Sequence, residues 1–430
     1  MRRFLPILLT GPVFLFAVQS TASPAPDFDQ GVDLRPVIRQ ALEAAGSKEG
    51  PRVTLKWDSS GTDDTVWISI SNRDVTALGD NFDFSSRTAV SQNSFISIYE
   101  LKVSELDILA DIMQRNFRRS PGFFAHSTLL SAQQDLEKPP SVMVRDFSID
   151  QGERVVPMLK QVDEAAVVAV IEHLASYKSR HCRTDTGIAS SKWVYGHWKN
   201  LTAGRSDITV ATFRHASFPQ ESVILTVRGT AEPEKVVVLG GHIDSTAGWG
   251  AGNAAPGADD NASGVAVLNE AVRVMVASGY KPKQTLKFIA FAAEEVGLRG
   301  SGEIAANFKK EGLAVQGMVN FDMANYKGSA EDIFLISDNT HEGQNAFLGR
   351  LVDTYTDYRW AQTACGYGCS DHASWTKNGF IASFPFESRM NEDNPNIHSD
   401  RDTLAQTGGR ALHAFKFAKL AVAYLVEMAK

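Results

Sequence analysis

From about residue 146 onwards, short apolar segments alternate with segments of helical spacing. The predicted strands are 236–239, 285–291, 315–321, 333–336 and 381–386. The predicted helices are 263–277, 301–310, 346–355 and 411–428. This alternation predicts an α/β fold, in which a mainly parallel, mixed and twisted sheet is sandwiched by helices. In such sheets ligands bind beyond the carboxyl ends of the strands, so functional residues are expected there.

The N-terminal region has a different character. Two arginines precede an apolar run, 4–18, and small residues lead to Ala22, a pattern typical of a secretory signal peptide over residues 1–22. The alternative is a membrane anchor, but a membrane-spanning helix needs about 20 apolar residues, and this run is shorter and contains a Gly-Pro pair. We therefore expect the remaining chain to be secreted or periplasmic, in a bacterium.

Residues 23–145 form a predicted small α+β unit ahead of the main domain, 146–430. Its expected elements are helices at 33–45 and 103–117 and strands at 53–57, 66–70 and 95–99. The unit contains one histidine, His126, and ends in a charged, proline-broken linker. In an exported chain we interpret such a unit as a propeptide; a permanent accessory domain is the alternative.

Composition narrows the possible partners. The 430 residues are 43% hydrophobic and 22% charged, with a formal net charge of −7, as in an ordinary globular protein. A mildly acidic chain gives no reason to expect nucleic acid or an anionic membrane as partner. The last predicted helix has an apolar stripe that we interpret as core packing, comprising Leu412, Phe415, Val422 and Leu425. A monomer is expected.

Histidine and acidic residues follow the predicted strands at equivalent positions. His242 comes just after strand 236–239, and Asp244 can reach its second ring nitrogen and fix the tautomer. The other candidates are the adjacent pairs Asp259–Asp260 and Glu294–Glu295, then Asp322 and His398. Buried acids at strand ends are costly unless a positive charge compensates, and a metal ion supplies such a charge.

The residue types indicate which metal. Mixed imidazole and carboxylate ligands suit zinc better than calcium or magnesium. Two histidines and three carboxylates are too many for a catalytic site with one zinc, which takes three protein ligands and a water. They fit two zinc ions if one carboxylate bridges, so the sequence predicts a site for two zinc ions.

The motifs around these residues resemble the zinc aminopeptidases of the M28 peptidase family, in particular the secreted bacterial leucyl aminopeptidases of the Vibrio type. The matching segments are Gly-Gly-His-Ile-Asp-Ser (240–245), Pro-Gly-Ala-Asp-Asp-Asn-Ala-Ser-Gly (256–264), Ala-Ala-Glu-Glu-Val-Gly-Leu-Arg-Gly-Ser (292–301), Asp-Met-Ala-Asn-Tyr-Lys-Gly-Ser-Ala (322–330), Cys-Gly-Tyr-Gly-Cys-Ser-Asp-His-Ala-Ser-Trp (365–375), Pro-Phe-Glu-Ser (385–388) and Ile-His (397–398). The resemblance implies a secreted zinc aminopeptidase of EC 3.4.11 type. It also implies a zymogen, whose propeptide acts as inhibitor or folding aid.

The resemblance implies a ligand role for five residues. Asp259 would bridge the two zinc ions. His242 and Asp322 would complete the shell of one ion. Glu295 and His398 would complete the shell of the other.

Further roles concern catalysis. Glu294 would act as general base on a zinc-activated water and then as general acid, with Asp244 supporting the site. Tyr367 would help to bind the oxyanion, held by a disulfide between Cys365 and Cys369. Asp260 is the expected acidic partner of the α-amine of a substrate peptide.

The substrate's first side chain is expected to enter an apolar pocket that favours large, leucine-like residues. The candidate lining residues are Met323, Ile336, Phe384, Phe386, Met390 and Ile397. Asp393 stands in the same loop, where an apolar residue would fit a leucine preference better.

The cysteines allow one staple. Cys365 and Cys369 are separated by Gly-Tyr-Gly, and a bend can bring them within bonding range. The closed loop is so short that loop entropy contributes only about 2 kcal/mol. Cys182 is expected to be a buried, unpaired thiol.

Four alternatives remain at this point. A carboxypeptidase needs a cation for the substrate carboxylate, and Arg389 is the nearby candidate. A glutaminyl cyclase on this scaffold uses one zinc ion. A serine hydrolase would need Ser370, Asp371 and His372, but three consecutive residues cannot form a triad, and no Gly-x-Ser-x-Gly elbow is present. A non-catalytic metal-binding protein leaves Glu294 without a role.

Overall fold

The computed structural model describes residues 64–137, 147–248 and 250–430. These residues belong to one compact unit, Ser59–Lys430. The predicted signal peptide, the helix at 33–45 and the strand at 53–57 lie outside the described residues. Within them, every helix is too short or too polar to cross a bilayer.

A mixed six-stranded sheet forms the centre of the main domain. Its strands are β5 (Ile208–Phe213), β6 (Ser222–Val227), β7 (Glu232–His242), β8 (Gln284–Phe291), β9 (Ala314–Asn320) and β12 (Ala382–Ser383). The spatial order is β12-β9-β7-β8-β6-β5. The four strands β12, β9, β7 and β8 are parallel, and β6 and β5 are antiparallel to their neighbours. Fully buried valine and leucine side chains in the centre of β7 explain why this strand is central.

Helices cover the sheet. They are α4 (Gly152–Leu159), α5 (Glu164–Ala175), α6 (Asp185–Leu201), α7 (Gly264–Ala277), α8 (Arg299–Lys310), α9 (Glu342–Tyr355), α10 (His372–Lys377) and α11 (Ala414–Met428). Helices α7 and α11 are buried along almost their whole length and pack against each other in the largest apolar cluster. The predicted α/β sandwich is therefore confirmed.

Two predictions about the end of the chain need correction. The segment 381–386 is two strands rather than one, because β12 pairs with β9 whereas β13 (Pro385–Phe386) pairs with β10 (Ile333–Ile336). Strand β11 (Trp360–Thr363) completes that small second sheet. Leu412 does not pack in the core: it precedes the first turn of α11 and is 56% exposed.

Residues 64–137, called the N-terminal subdomain here, carry an antiparallel sheet. Its strands are β1 (Thr65–Ser71), β2 (Ser91–Gln92), β3 (Ile96–Lys102) and β4 (Phe123–His126), in the order β2-β3-β1-β4. Its helices are α1 (Asn72–Leu78), α2 (Val103–Phe117) and α3 (Leu129–Gln133). The α+β character and the predicted helix at 103–117 are confirmed, because apolar residues of α2 recur at helical spacing and bury one face.

Candidate active site

Three neighbouring strands end at one edge of the sheet. In the parallel register His242 stands opposite Phe291, and Gly240 stands opposite Asn320. The chain segments that leave β8 and β9 therefore deliver Glu294, Glu295 and Asp322 beside His242. Parallel strands bring their carboxyl ends together in this way.

Two clusters of potential ligands meet at Asp260. Nε2 of His242 lies 3.2 Å from Oδ1 of Asp260 and 3.2 Å from Oδ1 of Asp322. Nε2 of His398 lies 2.9 Å from Oδ2 of Asp260 and 2.9 Å from Oε2 of Glu295. Within each cluster the ligand atoms lie within 4.8 Å of one another. The two oxygens of Asp260 thus face two different histidines, as a bridging carboxylate must.

Asp259, the residue predicted to bridge, belongs to neither cluster. The Oδ1 atom of Asp259 accepts a hydrogen bond from the backbone of Asn325 at 2.9 Å, and its Oδ2 atom accepts one from Asn394 at 3.2 Å. The backbone leaves helical geometry at Asp260, with φ −105° and ψ 94°, which turns the two adjacent side chains to different sides. Asp260, the predicted partner of the substrate α-amine, is the residue that the two clusters share.

The donor set fits metal ions. Burial raises the pKa of Asp259 to about 6 and that of Glu295 to about 7, and the neighbouring carboxylate of Asp260 adds to both shifts. The Oε1 atom of Glu295 has no hydrogen-bond partner within the described part of the chain. Burial lowers the pKa of His242 and of His398, but the surrounding carboxylates outweigh burial and hold both values well above the usual one. Each cluster combines one imidazole with two carboxylates, and Asp260 is common to both. Imidazole nitrogens and carboxylate oxygens are typical zinc ligands.

Glu294 lies beside the clusters but belongs to neither. Its Oε2 atom is 4.0 Å from Nε2 of His242. Burial raises its pKa well above the usual value for glutamate. Asp244 positions this segment, because its two oxygens accept hydrogen bonds from the backbone nitrogens of Glu294 and Glu295, both at 3.1 Å. The ring Nδ1 of His242 lies nearer to the backbone oxygen of Asp244, at 3.1 Å, than to its carboxylate, at 3.6 Å.

Three residues outside the predicted ligand set support the site. Asp402 accepts hydrogen bonds from the backbone nitrogens of Asp259 and Asp260, at 3.1 and 3.0 Å, and so fixes the loop that carries the shared carboxylate. Ser370 donates to Oδ2 of Asp322 at 2.6 Å, which orients that acid. Arg180 is fully buried and donates to the backbone oxygens of Ile243 and Gly257, at 2.8 Å each, which ties β7 to the glycine-rich loop.

Tyr367 sits in a short loop closed by the predicted disulfide, which is present between Cys365 and Cys369. Its hydroxyl donates to the backbone oxygen of Ser120 in the N-terminal subdomain, at 3.4 Å. Burial raises the pKa of the phenol, so the hydroxyl keeps its proton and remains a donor. Cys182 is a buried free thiol as predicted, and burial raises its pKa to about 12.

A cavity connects the clusters with an apolar pocket. Five of the six predicted lining residues are present: Met323, Phe384, Phe386, Met390 and Ile397. Ile336 is fully buried behind this wall and does not reach the cavity. Gln114, Arg118 and Ser120 of the N-terminal subdomain complete the lining, and only about 50 Å³ is left. This volume is well below the roughly 300–1,000 Å³ that is typical of ligand pockets.

The sequence profile described as "Peptidase family M28" matches residues 222–423, which include all the potential ligands. A probable leucine aminopeptidase of Arthroderma benhamiae is 33% identical over 312 residues, which cover 72% of this chain and 85% of the relative. The chain belongs to peptidase family M28. The predicted family and enzyme class, a metallo-aminopeptidase, are confirmed, and membership of the family implies zinc.

Solved structures with the M28 fold differ in how much of this chain they match. The Legionella pneumophila LapA aminopeptidase has a TM-score of 0.75 at 26% identity, and the match covers 85% of this chain and 99% of LapA. Because residues 147–430 make up a smaller share of this chain, the match also includes residues before 147. An aminopeptidase from Aneurinibacillus sp. strain AM-1 has a TM-score of 0.52 at 17% identity and covers 64% of this chain and 96% of its own.

Proposed function

We propose that this M28 peptidase is an exported dizinc aminopeptidase, made with a propeptide that covers its site. The observation that carries the proposal is the position of Asp260, whose two oxygens face His242 and His398 separately. Asp322 would complete the shell of the first ion, and Glu295 that of the second. Two shells that share one carboxylate account for all five side chains.

Glu294 is proposed as the general base and then the general acid. Bound zinc would supply polarisation of the scissile carbonyl and a lowered pKa of the attacking water. Glu294 stands beside that position, takes the proton of the water and returns it to the leaving amine. Asp244 holds the backbone of Glu294 through the hydrogen bond at 3.1 Å, so the carboxylate is oriented before substrate arrives.

Tyr367 and the pocket walls are proposed to position the substrate. Once the contact with Ser120 is released, the Tyr367 hydroxyl can donate to the oxygen that becomes negative in the transition state. The apolar walls are suited to the aliphatic part of a large first side chain. A carboxypeptidase is disfavoured because Arg389 is exposed, stacks on Phe334 and does not line the cavity.

The N-terminal subdomain is proposed as a covering propeptide, together with the rest of the predicted 23–145 segment. It lines the cavity and engages the Tyr367 hydroxyl, and Asp107 pairs with His181 at 3.1 Å. Its apolar core also includes Ala292, Ala293 and Val296, which flank the two glutamates. The subdomain would therefore both block the site and support the fold of this loop.

Cleavage within residues 138–146 tests this function. We expect the folded full chain, once cut there and separated from its N-terminal part, to hydrolyse leucine p-nitroanilide at least roughly tenfold faster than the intact chain, because the accessible fraction of sites increases. A chelator should abolish this activity, and the uncut chain incubated in parallel is the control. Equal activity before and after the cut would refute the covering role. A cut, metal-loaded protein that hydrolyses no aminoacyl p-nitroanilide would refute the aminopeptidase proposal.

A further inference from the structure

Asp393 is an acidic residue in the wall of an otherwise apolar pocket. It lines the cavity beside Phe384, Phe386 and Met390, and it is 8% exposed. It belongs to neither cluster of potential metal ligands. The carboxylate of Asp393 has no role in the mechanism of peptide hydrolysis proposed above.

The two oxygens of Asp393 have different partners. Oδ1 accepts a hydrogen bond from the backbone nitrogen of Asn391 at 2.7 Å, which fixes the carboxylate within its own loop. Oδ2 lies 3.2 Å from Nη2 of Arg118, a residue of the N-terminal subdomain. Oδ1 is thus fixed by the loop that forms the pocket wall, whereas Oδ2 pairs with the guanidinium group of Arg118, which lines the same cavity.

In the intact chain a cationic side chain, that of Arg118, pairs with the carboxylate in this pocket. If the subdomain leaves, Asp393 loses its cation but keeps its place in the wall. When the first side chain of a substrate then enters the pocket and shields Asp393 from water again, a carboxylate left without a partner costs free energy, and a cationic side chain removes that cost. Leucine would fill the space between the walls and leave Oδ2 unpaired.

We infer that Asp393 selects peptides whose first residue is arginine or lysine, which rests on the proposed aminopeptidase function and specifies its substrate class. The cationic head pairs with Oδ2 of Asp393, in the position that the Arg118 guanidinium takes in the intact chain. Apolar walls accommodate the aliphatic stem of such a side chain, since lysine and arginine bury their stems against apolar surface. Pockets that hydrogen-bond a polar substrate group discriminate strongly against side chains that lack it.

The test compares kcat/KM for the p-nitroanilides of arginine, lysine and leucine. The protein is the full chain, folded and then cut within residues 138–146, as wild type, as Asp393→Asn and as Asp400→Asn. Asp400 is an exposed acid of the same loop region and serves as the matched control. We expect wild type to hydrolyse the arginine substrate at least as efficiently as the leucine substrate. Asp393→Asn should lower the arginine-to-leucine ratio about 10- to 100-fold, the usual value of a hydrogen bond to a charged group, and Asp400→Asn should not change it.

Other outcomes overturn the inference in distinct ways. An equal loss on all three substrates would place Asp393 at the substrate α-amine. An unchanged arginine-to-leucine ratio, with faster release of the N-terminal part, would show that Asp393 only holds Arg118 and does not select substrates. If Asp393→Asn does not fold, inhibition of wild type by argininol and leucinol decides: stronger inhibition by argininol supports the inference, and equal or weaker inhibition contradicts it. Loss of all three activities in cut wild type would refute the aminopeptidase function itself.

Discussion

Glu294→Gln is expected to lower kcat on leucine p-nitroanilide by about 10²- to 10⁴-fold, the usual contribution of a general base, without loss of zinc. Glutamine has nearly the same size as glutamate and keeps the backbone contacts of this position, including the hydrogen bond that the backbone nitrogen donates to Asp244. It cannot take a proton from water. Because Glu294 belongs to neither ligand cluster, the metal content should remain that of wild type.

The measurement is steady-state kinetics on the cut protein, together with zinc content and the thermal midpoint. Glu303→Gln is the matched control, since Glu303 pairs with His215 at 2.8 Å, away from the clusters. A variant that keeps more than about a tenth of wild-type kcat would rule out Glu294 as the base. A variant that loses zinc would make Glu294 a ligand instead.

Asp260→Asn and Asp259→Asn should differ sharply in zinc binding. Asp260 faces both histidines, so replacing one of its charged oxygens with an amide nitrogen removes a ligand from at least one ion. We expect Asp260→Asn to hold at most one zinc ion per chain and to be inactive. Asp259 is hydrogen-bonded to Asn325 and Asn394, which are not potential ligands, and changes at positions that support the ligands cost about 10- to 100-fold in metal affinity. Asp259→Asn should therefore retain both ions when zinc is in excess.

Equilibrium dialysis against buffered zinc, followed by metal analysis of each variant, measures this difference. The reverse result, with zinc retained by Asp260→Asn and lost from Asp259→Asn, would restore the assignment that the sequence suggested. Loss of zinc from both variants, without unfolding, would show that the two adjacent acids act as one unit.

The site residues that follow strands were predictable from sequence, because an apolar run and the residues directly after it are neighbours in the chain. His242, Glu295 and Asp322 were found this way, whereas His398 was found in a turn-rich loop, and the structure brings all four together at one edge of the sheet. The choice between Asp259 and Asp260 was not predictable. Adjacent residues of the same type differ only in direction, and here that direction depends on two non-helical backbone angles within the loop.

Contacts between distant parts of the chain gave no sequence signal. Arg118 and Asp393 are 275 positions apart, and neither lies in a motif. Asp402, 142 positions from Asp260, supports the loop of the shared carboxylate through backbone hydrogen bonds. The segment 381–386 shows the same limit for the fold, since an apolar run does not reveal that its two halves pair with different sheets.

The number of zinc ions per chain tests the central claim most directly. We would measure the metal content of the cut protein after dialysis, and add zinc back stepwise to the metal-free protein while following hydrolysis of leucine and arginine p-nitroanilides. The account predicts two ions per folded chain and activity that a chelator removes and zinc restores. One ion per chain at full activity would contradict the bridging role of Asp260 and favour a cyclase-like site, and activity without metal would contradict the account as a whole.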